Sequence, residues 1–125
     1  IYRLDSAWDV AQFLLNECDN SATKILRKVI RESHCLEREG QKVSGLRYLG
    51  SEEVKSVCQE LEKVSEGDLN AKWDKQKMLD KRVYKIKFFT KQEDWQYIME
   101  HIHTINKAFY EASENNQALI CRIEL

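Results

Sequence analysis

Gly45-Leu46-Arg47-Tyr48-Leu49-Gly50-Ser51-Glu52-Glu53-Val54 decides the fold, because an apolar extended segment in it runs directly into a helix start. Val43 to Leu49 is predicted as a short strand. Gly50-Ser51 supplies the turn, with Ser51 as the cap, and Glu52 and Glu53 place negative charge at the positive end of the coming helix. Val54, Val57, Cys58, Leu61 and Val64 then recur at helical spacing, so this helix buries one stripe and shows Glu60 and Glu62 to water. A strand leading into an amphipathic helix calls for helices packed on a sheet.

Upstream, Ser6 and Asp9 approximate a capping box, and Trp8, Ala11, Leu14, Leu15 and Cys18 form one stripe of about four turns that makes Trp8 a core anchor. A second helix is expected from Asn20 or Ser21, with Ile25, Leu26, Val29 and Ile30 on one side and Lys24, Arg27, Lys28 and Arg31 on the other. Glu32 to Ser44 loses periodicity and reads as a loop.

Downstream, Ser65 with Asp68 opens a shorter helical piece through Leu69, Trp73 and Met78. Val83 to Phe89 alternates, with Tyr84, Ile86 and Phe88 opposite Lys85 and Lys87, which is a strand pattern. Thr90 with Glu93 starts the longest stripe, Trp95 to Ala112, and Ala118 to Leu125 reads as a final strand.

The 125 residues, 42% hydrophobic and 33% charged with a net charge of −1, fit one ordinary soluble domain. With no proline and four glycines, helices should be long and sharp turns few. No run reaches the length of a membrane span, so no membrane partner is expected. Cys18, Cys35, Cys58 and Cys121 lack CxxC spacing and read as reduced thiols in a cytoplasmic protein.

The chemistry-bearing residues do not assemble into a known motif. His101 and His103 point to different sides of a helix, His34 beside Cys35 has no oxyanion loop, and no phosphate-cradling glycine pattern occurs. No cofactor, metal or catalytic residue is therefore assigned. Lys72 to Lys91 holds eight basic and two acidic residues interleaved with Trp73, Tyr84, Phe88 and Phe89, the ingredients of a nucleic-acid surface. Two considerations weigh against that use: the strand would bury its aromatics, and the acidic helix from Glu52 to Asp68 could neutralise the cations.

Arg47-Tyr48-Leu49 followed by Gly50-Ser51-Glu52-Glu53-Val54 resembles the signature of the YfbM-like bacterial family, a domain of unknown function (1877). Leu4-Asp5-Ser6-Ala7-Trp8 with Phe13-Leu14-Leu15, then Leu69, Lys72-Trp73-Asp74, Met78 and Val83-Tyr84, agree with it in order. The connection from Arg31 to Gly45 is charged where the family is glycine-rich. Lys85 stands where the family tends to have proline, so the resemblance makes Val83 to Phe89 a loop while its alternation makes it a strand. Complete members begin with a strand-like segment ahead of the leucine-aspartate helix, so an N-terminal strand segment is expected to be missing before Ile1.

The expectation is a single α+β domain with four or five helices on a small sheet. Its leading function is a non-catalytic protein-binding module, such as an immunity-type partner protein. The candidate binding residues are Arg47, Tyr48, Trp8, Trp73 and Tyr84, with Arg47 singled out because nothing structural in the sequence accounts for it. The alternatives are an enzyme with a small-molecule pocket at Arg47 and Tyr48, which requires a cleft there, and nucleic-acid binding through residues 72–91.

Overall fold

The stripe beginning at Trp8 forms α1 (Trp8–Cys18) in a computed structural model that describes residues 6–30, 32–38 and 40–122, with 35–38 and 41–45 described through their backbone. This helix is buried on nearly every side, Asp9 and Gln12 included. The expected capping box is not made: the N-cap is Ala7, without a side-chain bond. Asp9 instead turns inward, and its Oδ2 accepts from the backbone N–H of Tyr84 at 2.9 Å.

The expected second helix is reduced to a short 3-10 segment, Ile25–Val29. Buried side chains take the backbone groups that an α-helix would pair internally. The Asp19 carboxylate accepts from the N–H of Ser21 and of Leu26, both at 2.8 Å. The Gln12 amide accepts from Ile30 N–H at 2.8 Å and donates to the Leu26 carbonyl at 2.9 Å. The basic stripe is dispersed accordingly: Arg27 pairs with Glu32, Lys28 with Glu53, and Lys24 donates to the Asp19 carbonyl. Arg31 lies outside the described residues.

The sheet has three antiparallel strands in the order β1 (His34–Arg38), β2 (Gln41–Leu49) and β3 (Leu119–Arg122). The segment read as a loop is thus half of a hairpin, and the strand expected from Val43 begins at Gln41. Gly40, at φ +80°, turns the chain between β1 and β2. A register shift between Cys35 and Glu37 breaks the two-residue period that would have revealed β1. Residues 123–125 of the expected last strand lie outside the described residues.

The remaining helices are α2 (Ser51–Leu61), α3 (Glu66–Ala71), α4 (Lys75–Asp80) and α5 (Lys91–Glu114). Gly50, not Ser51, is the N-cap of α2, and Glu60 is buried rather than solvated, its carboxylate 3.3 Å from Lys63 Nζ. The Ser65 and Asp68 capping box forms as read, but the piece expected through Met78 is two helices, the second capped by Asp74. At α5, the Thr90 side chain accepts from Glu93 N–H, while the Thr90 N–H donates to the Asp94 carboxylate rather than to Glu93.

No strand forms over Val83–Phe89. A turn leads into a 3-10 segment, Ile86–Phe88, with Arg82 and Lys85 in the left-handed region at φ 55° and 57°. Val83, Ile86 and Phe89 are buried, so the burial period is three and the loop implied by the resemblance prevails. α2 and α1 both pack on α5, and Leu14, Leu15, Val54, Val57, Ile98 and Met99 belong to one buried core. Among the described residues the result is an α+β domain of five α-helices with a small sheet. Among the described residues, no helix is long and apolar enough to cross a membrane.

Candidate functional site

Successive residues of β2 face opposite sides of the sheet, so Arg47 and Tyr48 part company. Tyr48 pairs with His34 on β1 and Ile120 on β3, which sets the three side chains in one row across the outer face. The His34 and Tyr48 rings lie 5.2 Å apart. Tyr48 is 38% exposed and Ile120 67%. On the other face, Leu49 is buried in the core and Arg47 is half-buried, its Nη1 donating to the Ser33 carbonyl at 2.9 Å. Arg47 thereby braces the entry to β1 against β2.

The first turn of α2 brings Glu53 to the edge of this row. Its carboxylate lies 2.9 Å from Lys28 Nζ and 2.8 and 3.0 Å from His34 Nε2. Burial pushes the Glu53 carboxyl up, but hydrogen bonds from Lys28 and His34, reinforced by their charges, outweigh it and hold the group below its ordinary value. The arrangement is an apolar centre, Tyr48 and Ile120, with a charged edge formed by Lys28, Glu53 and His34. Apolar centres with polar rims are the ordinary anatomy of protein interfaces.

The five residues read from the sequence fall in three places. Arg47 and Tyr48 are on the sheet. Trp8 is in the core with its ring 6.0 Å from Tyr84, whose face carries Lys85 Nζ at 5.4 Å. Trp73 packs edge-on against Trp95, and Lys91 Nζ lies 5.6 Å from the Trp95 ring. His34, Lys28, Glu53 and Ile120 are not among the five, because their proximity to Tyr48 depends on a hairpin whose first strand has no period. The one available signal was Glu53 in the opening stretch, where its charge was assigned to the helix end.

Other chemistry-bearing groups do not converge. His101 is buried and bonded through Nδ1 to the Tyr97 carbonyl, while His103 is exposed. Among the described residues, no group of His, Cys, Asp and Glu is arranged to hold a metal. Away from Arg47, a cleft of about 440 Å³ lies between α1, α2 and α3, against Glu17, Cys18, Glu60, Lys63, Asp68 and Lys72. Its carboxylates are committed: Glu17 to Lys77, Glu60 to Lys63, and Asp68 to its capping box. Burial, then the Asp68 carboxylate, pushes the Cys18 thiol up, which keeps it protonated and a poor nucleophile.

The sequence matches the family described as Domain of unknown function (DUF1877) over residues 2–121. No curated protein and no solved structure matches it.

Proposed function

We propose that this chain, which belongs to that domain-of-unknown-function family, is a non-catalytic protein-binding module whose docking surface is the outer sheet face around Tyr48 and Ile120. The observation that carries the reading is the cross-strand row His34, Tyr48, Ile120, with Ile120 two-thirds exposed and the Lys28–Glu53–His34 cluster beside it. A partner with an apolar protrusion ringed by polar groups fits this surface: the apolar pair excludes water, and the charged edge fixes orientation. The absence of an assembled catalytic motif in the sequence favours binding over turnover. A small bacterial cytoplasmic partner protein of the immunity type is consistent with the free thiols of Cys18, Cys58 and Cys121 and with this docking face.

The test is capture of partners on the purified chain, comparing the native protein with a Tyr48→Thr, Ile120→Thr double variant. Threonine keeps the strand propensity, so the sheet survives while the apolar centre is lost. The expected result is a discrete partner that the variant fails to retain by at least ten-fold. Equal retention by both proteins would contradict the assignment of this face.

A further inference from the structure

The segment Arg82–Phe88 is a basic knuckle rather than a strand, and one of its aromatic rings is left in solvent. Phe88 is not in the core but 78% exposed, the most open large apolar side chain among the described residues. Of the local cations among the described residues, Lys72 acts on Asp68 of the acidic helices, and the others that pair do so elsewhere. Lys77 and Lys81 both lie against Glu17 of α1, Lys75 donates to the Phe89 carbonyl, and Lys91 donates to the Asn70 carbonyl. Arg82, Lys85 and Lys87 remain exposed around Phe88.

The knuckle is held in place. Val83, Ile86 and Phe89 anchor it from below, and the N–H groups of Val83, Ile86 and Phe88 bond back to Met78, Val83 and Lys85 at 3.0, 3.2 and 3.0 Å. Asp9 fixes Tyr84 from the core. Two of its residues, Arg82 and Lys85, adopt the left-handed conformation without being glycine. Strain of this kind persists where surrounding structure over-determines it, and it gathers at ligand clamps and switches.

We propose that the knuckle is a contact site for single-stranded nucleic acid, with Phe88 stacking on one base and Arg82, Lys85 and Lys87 meeting the flanking phosphates. The site is separate from the sheet row and independent of the protein-binding reading. One exposed ring is far less apolar area than a stable protein interface buries, whereas base stacking uses one ring at a time. A duplex would demand a helix or ribbon that fits a groove, and a three-residue 3-10 segment supplies neither. Stable membrane attachment requires a broad apolar face or a lipid chain rather than one side chain.

The experiment is fluorescence anisotropy of the intact chain with a labelled single-stranded oligonucleotide of mixed sequence, titrated at several salt concentrations. Duplex of the same sequence and vesicles containing phosphatidylserine serve as competitors. Binding at low salt is expected to fall with a log–log slope of about −2 for three phosphate contacts. Phe88→Ala, at an exposed position that leaves folding intact, should weaken it about 5- to 150-fold, the range for loss of one stacked base. Lys87→Gln should flatten the slope by about 0.7. No anisotropy change at low salt, binding indifferent to Phe88→Ala, equal affinity for duplex, or displacement by the vesicles would each overturn the proposal.

Discussion

The carboxylate of Asp9 accepts a hydrogen bond from the backbone N–H of Tyr84 at 2.9 Å, joining the first turn of α1 to a turn 75 positions later. Asp9 is buried, so its carboxyl depends on the groups it meets in the protein rather than on water. Through this bond the core fixes the knuckle that presents Phe88. Asp9→Ala is expected to cost about 1–3 kcal/mol, the range for leaving a buried backbone donor unsatisfied, with Asp9→Asn recovering part of it. Urea denaturation of the three proteins checks this.

Gln12→Ala is expected to destabilise by about 2–4 kcal/mol, because it strands the Leu26 carbonyl and the Ile30 N–H in a buried site. The loss should be local as well as global. Hydrogen exchange at residues 25–30 should accelerate more than at Ile98 to Ile105 on α5, which depends on apolar packing instead.

Lys85→Gly is expected to stabilise by about 0.5–1 kcal/mol. Glycine adopts φ near 57° without the steric cost of a Cβ, which outweighs its greater entropy when unfolded. Lys85→Ala keeps the Cβ and should show no such gain, which separates backbone strain from loss of the lysine. Thermal melts of the two variants make the comparison.

Glu53 makes stability depend on pH. Its folded carboxyl is held below its ordinary value, so its contribution is present above about pH 4.3, where the unfolded carboxyl titrates, and is lost as pH falls through the folded value. Partial exposure of the cluster screens it, so Glu53→Gln should cost only about 0.5–1 kcal/mol at neutral pH. That difference should vanish near pH 2, measured by urea denaturation of both proteins across the range.

The parts of this fold that a linear reading captured are those whose period lies within one element. The stripes of α1, α2 and α5 are set by local spacing and form where they are read, although Glu60 is buried beside that of α2, and the strand read from Val43 to Leu49 forms with its start at Gln41. Two of the departures share one cause, a polar contact from another segment that outbids local preference. Ile25–Val29 has an amphipathic helical pattern, but Gln12 and Asp19 claim its backbone groups and tighten it to 3-10. Val83–Phe89 alternates like a strand, but no neighbour offers a ladder, and Asp9 takes the one N–H at Tyr84. β1 was hidden by its register shift.

The candidate site was half legible for the same reason. Tyr48 and Arg47 stand out in sequence, yet only the sheet shows that they face opposite ways and that Arg47 has a structural role at Ser33. Ile120 and His34 become Tyr48's neighbours through register alone.

The central claim is that the face around Tyr48 and Ile120 receives a protein partner. It is tested most directly by placing a photo-crosslinking residue at Ile120 and, as a control, at the exposed Asn106 of α5, then irradiating living host cells. The account predicts one discrete adduct from position 120, absent from position 106 and abolished by Tyr48→Thr in the same chain. No adduct from position 120, or the same adducts from both positions, would contradict it.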